Sequence, residues 1–495
     1  MKNKNKKNNF LKNFFDIRSI RILLLGFSAG LPILLVFSTL SVWLVKAGVS
    51  RSTVTIFSWA GFAYAFKFIW TPLVDNLKLP FFNKLGHRKS WLLLSQIMIM
   101  LSILFTSLTD PSQTLVLTAV GVSLIAFSSA TQDIVIDAYR IESAPQNLQG
   151  ALSSMYIAGY RIAMLVAGAG SLWLASYLGA EIYDVRVWQI VYNTMAALML
   201  IGVITVIFSP EPNIKRNPIK KTGHQFGFVI AFALAIFVFI LIYSSLDNPF
   251  SRKEPIENFL FAFVRLFLCF LGSGIATYFL AQFKFFPKKS AHDVYAKPIL
   301  EFVSRYGNVA VAILLLIGLY RIADVVMGVM ANIFYLEKGF NISEIATYSK
   351  FFGVFATIFG GFIGGYSAIR YGTIKALFVG GVIAAASNLL FSWLALSEAS
   401  IKLLILVITA DNISSGFAGA AFVVYLSALT SIKFTATQYA LFSSIMLFLP
   451  KLLAGYAGSI VDLMGYSNFY IFTALLGLPV LILIFWIGKI APIKD

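Results

Sequence analysis

Apolar residues run in long blocks along almost the whole chain, separated by short stretches rich in Lys, Asn, Gly, Ser and Pro. A bilayer core about 30 Å thick is crossed by a helix of roughly 20 apolar residues. The blocks therefore predict membrane-spanning helices near residues 20–45, 53–75, 90–109, 113–139, 149–177, 187–208, 226–246, 258–283, 305–335, 344–367, 374–397, 402–430, 437–461 and 468–489, about fourteen in all. Composition agrees with the pattern: 59% of the 495 residues are hydrophobic and 12% charged, about half the charged share of a soluble domain.

The net charge of +18 points to orientation rather than to nucleic acid. Lys and Arg crowd into the N-terminal tail and the loops on its side of the membrane, as cytoplasmic segments do. Both termini are expected in the cytoplasm. The basic start leads into a long apolar run with no small-residue cleavage site, so it reads as a retained tail. The single cysteine, Cys269, excludes an internal disulfide, and His87, His224 and His292 fall in predicted loops. No metal, cofactor or catalytic constellation is expected, which argues against an enzyme.

Two internal matches set the architecture. GVSRSTVTIFS at Gly48 resembles GFNISEIATYS at Gly339, a shift of 291 residues, and QGALSSM at Gln149 resembles QYALFSSIM at Gln438, a shift of 289. Two matches at nearly one shift imply two parallel six-helix halves. The expected organisation is a tail over 1–19, a first half over 20–209, an inserted segment with two helices over 210–300, and a second half over 301–495. An all-α protein of parallel halves with an inserted pair has the layout of major facilitator transporters, whose substrates bind near the midplane. The loop after span two fits: Asp75 precedes Lys84, Arg88 and Lys89, which resembles the acidic-then-basic gating motif of that superfamily. Positive-inside charge alone would also produce such a loop.

Charges inside apolar blocks are costly and usually face a partner or a watery cavity. Asp133 and Asp137 share one helix face at i, i+4, with Gln132 before them and Arg140 after. They either hold helices together or carry protons. Arg161 and Lys451 occupy equivalent places in the two fifth spans, so a cavity between the halves would be basic on both walls and suit an anion. Arg321 and Asp324, at i, i+3, form either a structural ion pair or part of a transport site. Lys67, Arg265, Lys350 and Asp411 are further intramembrane charges. Small-residue runs in GFSAGLP, AGAGS, GGFIGG and SSGFAGAAF predict close helix contacts.

These segments resemble the AmpG family of muropeptide permeases. The likeness covers both halves and rests on GFSAGLP, KFIWTPLVD, SATQDIVIDA, GYRIAMLVAG, LYRIAD, SKFFGVFATIFG, ASN ending at Asn388, and TATQYALFSS, with QDIVIDA the most specific. The resemblance implies proton-coupled import of GlcNAc-anhydroMurNAc, with or without peptide, across the bacterial inner membrane for cell-wall recycling, feeding β-lactamase induction in many Gram-negative bacteria. It implies Asp133, Asp137 and Asp324 as proton-coupling residues and Gln132, Arg161, Arg321, Lys350, Asn388 and Lys451 as substrate ligands, with Lys67, Asp75 and Arg88 as gating residues. The expected partners are substrate, protons and membrane lipids, with no nucleic acid, and the expected state is a monomer. The main alternative is a facilitator for another anionic solute, such as acetyl-CoA or a phosphorylated metabolite. Unlike family members with two additional C-terminal spans, this chain inserts its pair between the halves, and Glu181 and the loop DNPFSRKEPIEN have no counterpart.

Overall fold

The computed structural model describes residues 15–77, 79, 85–145, 148–212, 222–250, 254–282, 297–430 and 435–490; Lys84 of the basic loop and His292 lie outside these residues, and the His224 side chain is likewise outside the description. Among the described residues all regular elements are helices. Eleven are long and apolar enough to cross a bilayer, from Ile17–Lys46 to Ala457–Ile490. His87 opens the helix His87–Ser107 instead of lying in a loop.

The difference between eleven long helices and fourteen expected spans has local causes. Span two is not one helix but a series of pieces: Arg51–Ile56, a tight turn at Phe57–Gly61, Phe62–Phe66, a second tight turn at Lys67–Ile69, and Thr71–Asn76. Pro72 has no N–H with which to close a turn back to residue 68, and Trp70 leaves helical geometry at φ −102°, ψ 0°. The apolar part of the first inserted helix is only Val229–Ser245. At the other end, the expected span 437–461 falls mainly on Thr435–Ala454, whose apolar part is only Leu441–Ala454, and the span 468–489 lies in Ala457–Ile490. Gly465 turns the chain inside it with φ 75°, a conformation that glycine adopts without a Cβ penalty.

Backbone contact at glycine binds the long helices. A Cβ on Gly26, Gly30 or Gly159 would stand 2.3, 2.4 or 1.9 Å from the carbonyl oxygens of Tyr156, Tyr160 and Leu23, so spans one and five touch backbone to backbone. Gly360, Gly364 and Gly416 do the same against Ile413, Phe417 and Thr357 at 2.1, 2.3 and 2.1 Å. Lipid provides little hydrophobic drive between helices, so this close packing supplies the attraction. Gly26→Val and Gly416→Val are therefore expected to abolish monodisperse protein in detergent, whereas Gly365→Ala, with open space around it, leaves yield and elution unchanged. Size-exclusion profiles check both expectations.

The helices form two compact units, and each takes a stretch from the other sequence half. One comprises residues 1–49, 69–218 and 341–351; the other comprises 50–68, 219–340 and 352–495. Residues 50–68 of span two thus pack with the second half, and the start of the span Ile342–Ala368 packs with the first. The chain passes between units at the tight turn Lys67–Ile69 and at the end of a π-helical stretch, Ile345–Phe352. Irregular helix of this kind often marks hinges and functional positions.

Candidate functional site

In the first unit, span four (Leu115–Glu142) carries the acids singled out from sequence. Asp137 is half exposed, and its Oδ1 lies 3.6 Å from Arg140. The Arg140 guanidinium also bonds the Ser153 hydroxyl and stands 5.8 Å from the centre of the Tyr156 ring. Asp133 lies one turn further into the span and is partly buried. Both acids are within electrostatic range of Tyr156, and Asp133 also of Tyr160. Gln132 is fully buried and faces elsewhere: the Ser28 hydroxyl donates to its Oε1 at 2.9 Å, and its Nε2 donates to the Ser28 carbonyl at 3.1 Å. Gln96 Nε2 donates to the same hydroxyl at 3.2 Å. Three helices are tied together there.

Arg161, on span five, has a different environment. Its NH1 lies 3.8 Å from Met164 Sδ, and no carboxylate pairs with it among the described residues. The chemistry of a partly buried guanidinium without an acid partner suits an anion. About one and a half turns further along, span five becomes π-helical over Val166–Gly170. This bulge faces the second π-helical stretch, which carries Lys350: a Cβ on Gly168 would lie 3.7 Å from Lys350 Cβ. The indole of Trp173 donates to Thr347 Oγ1 at 3.1 Å, and its ring lies 5.5 Å from Phe351. Sequence offered only the AGAGS run for this junction, which reads as close approach and carries no sign of a π-turn.

In the second unit, the span Val309–Glu337 breaks between Val309–Leu319 and Ile322–Glu337, and Arg321 sits in the break. Its Nε donates to Asp324 Oδ2 at 2.9 Å, with NH2 on the same oxygen. Ser415 donates to that oxygen at 3.3 Å, and Asp411 acts on Arg321 electrostatically. The pair that the spacing allowed is formed. Asn388 is buried, and its Nδ2 donates to Thr473 Oγ1 at 3.2 Å; its Oδ1 has no donor among the described residues. Lys451 follows Pro450 in Thr435–Ala454, one residue before the carbonyl that accepts the Trp59 indole N–H at 3.3 Å. Lys67 lies in the tight turn of span two.

The basic loop forms an ion cluster inside the first unit. Arg88, buried, reaches Asp75 at 2.6 Å and holds Glu142 with two bonds of 3.0 and 2.8 Å. Glu211 caps the same helix end, accepting from the Arg88 and Lys89 amides at 3.0 Å each. Sequence reading found Asp75 and Arg88 and missed both glutamates.

Two further clusters lie at the ends of spans one and two and of the spans Val309–Glu337 and Ile342–Ala368. Lys46 Nζ donates to Glu181 Oε2 at 2.9 Å, while Glu181 Oε1 accepts the Ile342 amide at 2.8 Å. Arg51 Nε donates to both Glu337 oxygens at 2.7 and 2.8 Å, and NH1 donates to Asp462 at 3.0 Å. The Tyr466 hydroxyl adds a bond of 2.8 Å to Glu337. Glu181 thus acquires a partner set that its sequence context did not suggest.

Comparison with known proteins narrows what these charges serve. Residues 22–410 match the model of the Major Facilitator Superfamily. The chain is 31% identical to the AmpG 4 protein of Rickettsia felis, over 97% of this chain and 98% of that one. It is 30% identical to the anhydromuropeptide permease of Escherichia coli, over 96% of this chain and 80% of that one. The chain belongs to the AmpG family of the major facilitator superfamily. A POT family transporter in complex with a thioalcohol-conjugated peptide shares the fold at a TM-score of 0.64 and 14% identity, over 98% of this chain and 96% of that one. A D-xylose-proton symporter does so at 0.58 and 10%, over 94% and 97%. This AmpG-family chain is a multi-pass membrane protein whose relatives and fold neighbours are transporters, as the repeat and the QDIVIDA segment implied.

Proposed function

We propose that the protein imports anhydromuropeptides, GlcNAc-anhydroMurNAc with or without peptide, across the bacterial inner membrane with protons, by alternating access. The observation that carries this reading is Arg161: a partly buried guanidinium with no acid partner among the described residues, on the span whose π-bulge meets Lys350. The substrate's carboxylates match that charge. Similarity to the anhydromuropeptide permease over 96% of this chain and 80% of that one favours this solute over acetyl-CoA or a phosphorylated metabolite. Asp133 is the proposed proton carrier and Arg321 with Asp324 a second charged element that responds to it. The direct test is uptake of labelled GlcNAc-anhydroMurNAc-tripeptide into proteoliposomes with and without an inward proton gradient, with acetyl-CoA as competitor. Gradient-driven accumulation insensitive to acetyl-CoA is expected; no uptake by folded, reconstituted protein would end the assignment.

The end clusters support alternation. With the termini cytoplasmic, the Arg51–Glu337–Asp462 cluster and the bond from the Ile342 amide to Glu181 would lie on the periplasmic side, where each joins different sequence halves and would have to part for the substrate to enter. Thr55, buried one turn inside the Arg51 cluster, donates to the Gly455 carbonyl at 2.9 Å. In a Cys269→Ser background, Thr55→Cys is expected to react slowly with a membrane-impermeant maleimide. Adding Arg51→Gln should raise that rate about fivefold, since loss of a partly exposed ion pair is worth about 1 kcal/mol of population. Equal rates would remove this cluster from the cycle.

A further inference from the structure

The inserted helices, Thr222–Ser245 and Pro255–Gln282, form a hairpin within the second unit. Within the apolar window of the second helix only 11% is buried inside the protein. Such a surface meets lipid. Yet Arg265 stands in it, ten residues after Pro255 and therefore about 15 Å along the helix from that end. An arginine facing hydrocarbon is costly and persists where its charge reaches an interface or a counter-charge.

Its side chain reaches towards the loop end of the hairpin. Nε donates to the Tyr243 carbonyl at 3.0 Å, NH2 bonds the same oxygen, and the guanidinium lies 3.6 Å from the centre of the Tyr243 ring. Tyr243 is in the last turn of the first inserted helix. Among the described residues no carboxylate pairs with Arg265 and no bond from NH1 is present. Among the described residues the charge is held by Tyr243 and forms no ion pair.

Beside it is a cavity of about 400 Å³, enclosed between the hairpin, span two and the helix that begins at Ala457. Its wall is divided by chemistry. Asn248, Asn258 and Arg265 form a polar part, with Tyr456 donating to the Asn258 carbonyl at 3.1 Å, while Phe62, Phe239 and Leu266 form an apolar part. A cation with hydrogen-bonding groups at one end of an apolar groove, on a lipid-facing hairpin, is complementary to a phosphate ester attached to a hydrocarbon chain.

We propose that this groove binds one membrane phospholipid, its phosphate on Arg265 and one acyl chain along Phe62, Phe239 and Leu266. The assignment is independent of what the transporter carries. The bound lipid closes the gap between the hairpin and span two, and it supplies a negative charge that pairs with Arg265 where no described carboxylate does. The inserted pair thereby acts as a lipid-mediated brace on span two.

The test is native mass spectrometry of the full chain released from mild detergent, titrated with phosphatidylglycerol, with diacylglycerol of the same chains, and with inorganic phosphate. Wild type should retain one phosphatidylglycerol at the highest collision energies, while neither diacylglycerol nor inorganic phosphate displaces it. Arg265→Gln should bind that lipid about tenfold more weakly, as expected for the loss of one basic contact to a lipid phosphate. Arg265→Lys should recover part of the difference. Melting in detergent without added lipid should be the same for wild type and Arg265→Gln, which separates lost binding from lost folding. Equal retention in wild type and Arg265→Gln, or equal competition by diacylglycerol, would overturn the proposal.

Discussion

Arg161→Gln is expected to lower kcat/KM for GlcNAc-anhydroMurNAc-tripeptide uptake by about a hundredfold, within the 2–5 kcal/mol that truncation of a buried charge pair costs. The reason is the contrast between its surroundings with and without substrate. Among the described residues the guanidinium meets the Met164 sulfur, at 3.8 Å, and no carboxylate, so removing it strands no described carboxylate and should not unfold the protein. With substrate bound, the same group would face a carboxylate that has no other planar donor on this helix. Arg161→Lys should recover part of the activity, because charge returns without the two-pronged geometry. Concentration-dependent initial rates in proteoliposomes, with melting temperature as a control, measure both variants. Unchanged kinetics in Arg161→Gln would move the anion site elsewhere, with Arg321 and Lys451 next in line.

The second large effect is on energy coupling. Asp133→Asn should abolish accumulation against a gradient while keeping substrate exchange, since asparagine preserves shape and hydrogen-bonding capacity but cannot carry a proton. Asp137→Asn should change accumulation by less than about threefold, because its ion pair with Arg140 is half exposed and such pairs contribute about 1 kcal/mol or less. The two positions share a helix face, so sequence alone gave no reason to separate them. Burial does, because a carboxylate's charge state depends on its surroundings where water is scarce. Loss of accumulation in Asp137→Asn with Asp133→Asn intact would exchange their roles.

The parts of the structure readable from sequence were those written in local spacing. The i, i+4 acids, the Arg321–Asp324 pair and the glycine runs all depend on residues a turn or two apart. Repeat spacing did the same for the two halves. Contacts across long separations were hidden: Glu142 lies 54 residues from Arg88, and Glu211 lies 123 residues away. Each reads alone as an ordinary helix-end acid. Gln132 drew notice for standing beside the acids, but the side chain points to Ser28, 104 residues away. The π-helical stretches at Val166–Gly170 and Ile345–Phe352 escape because one extra residue in a turn leaves no compositional mark. Span two had the length of a helix, yet Pro72 and a glycine among aromatics divide it.

The placement of span two also has a consequence for biosynthesis. Residues 50–68 belong to the unit completed only by residues 352–495. Trp59 rests on Leu452, and Phe62 and Phe66 meet Phe448 at 5.9 and 5.5 Å. A ribosome working at about 5–20 residues per second needs roughly 20–80 seconds to make the intervening chain. During that interval span two is inserted without its final neighbours, so its contact face must be at home in lipid before it is at home in protein. Trp59, Phe62 and Phe66 satisfy both solvents, and a polar lock like that of Gln132 on Ser28, placed on this helix instead, would leave amide groups unsatisfied in hydrocarbon until the last helices arrived.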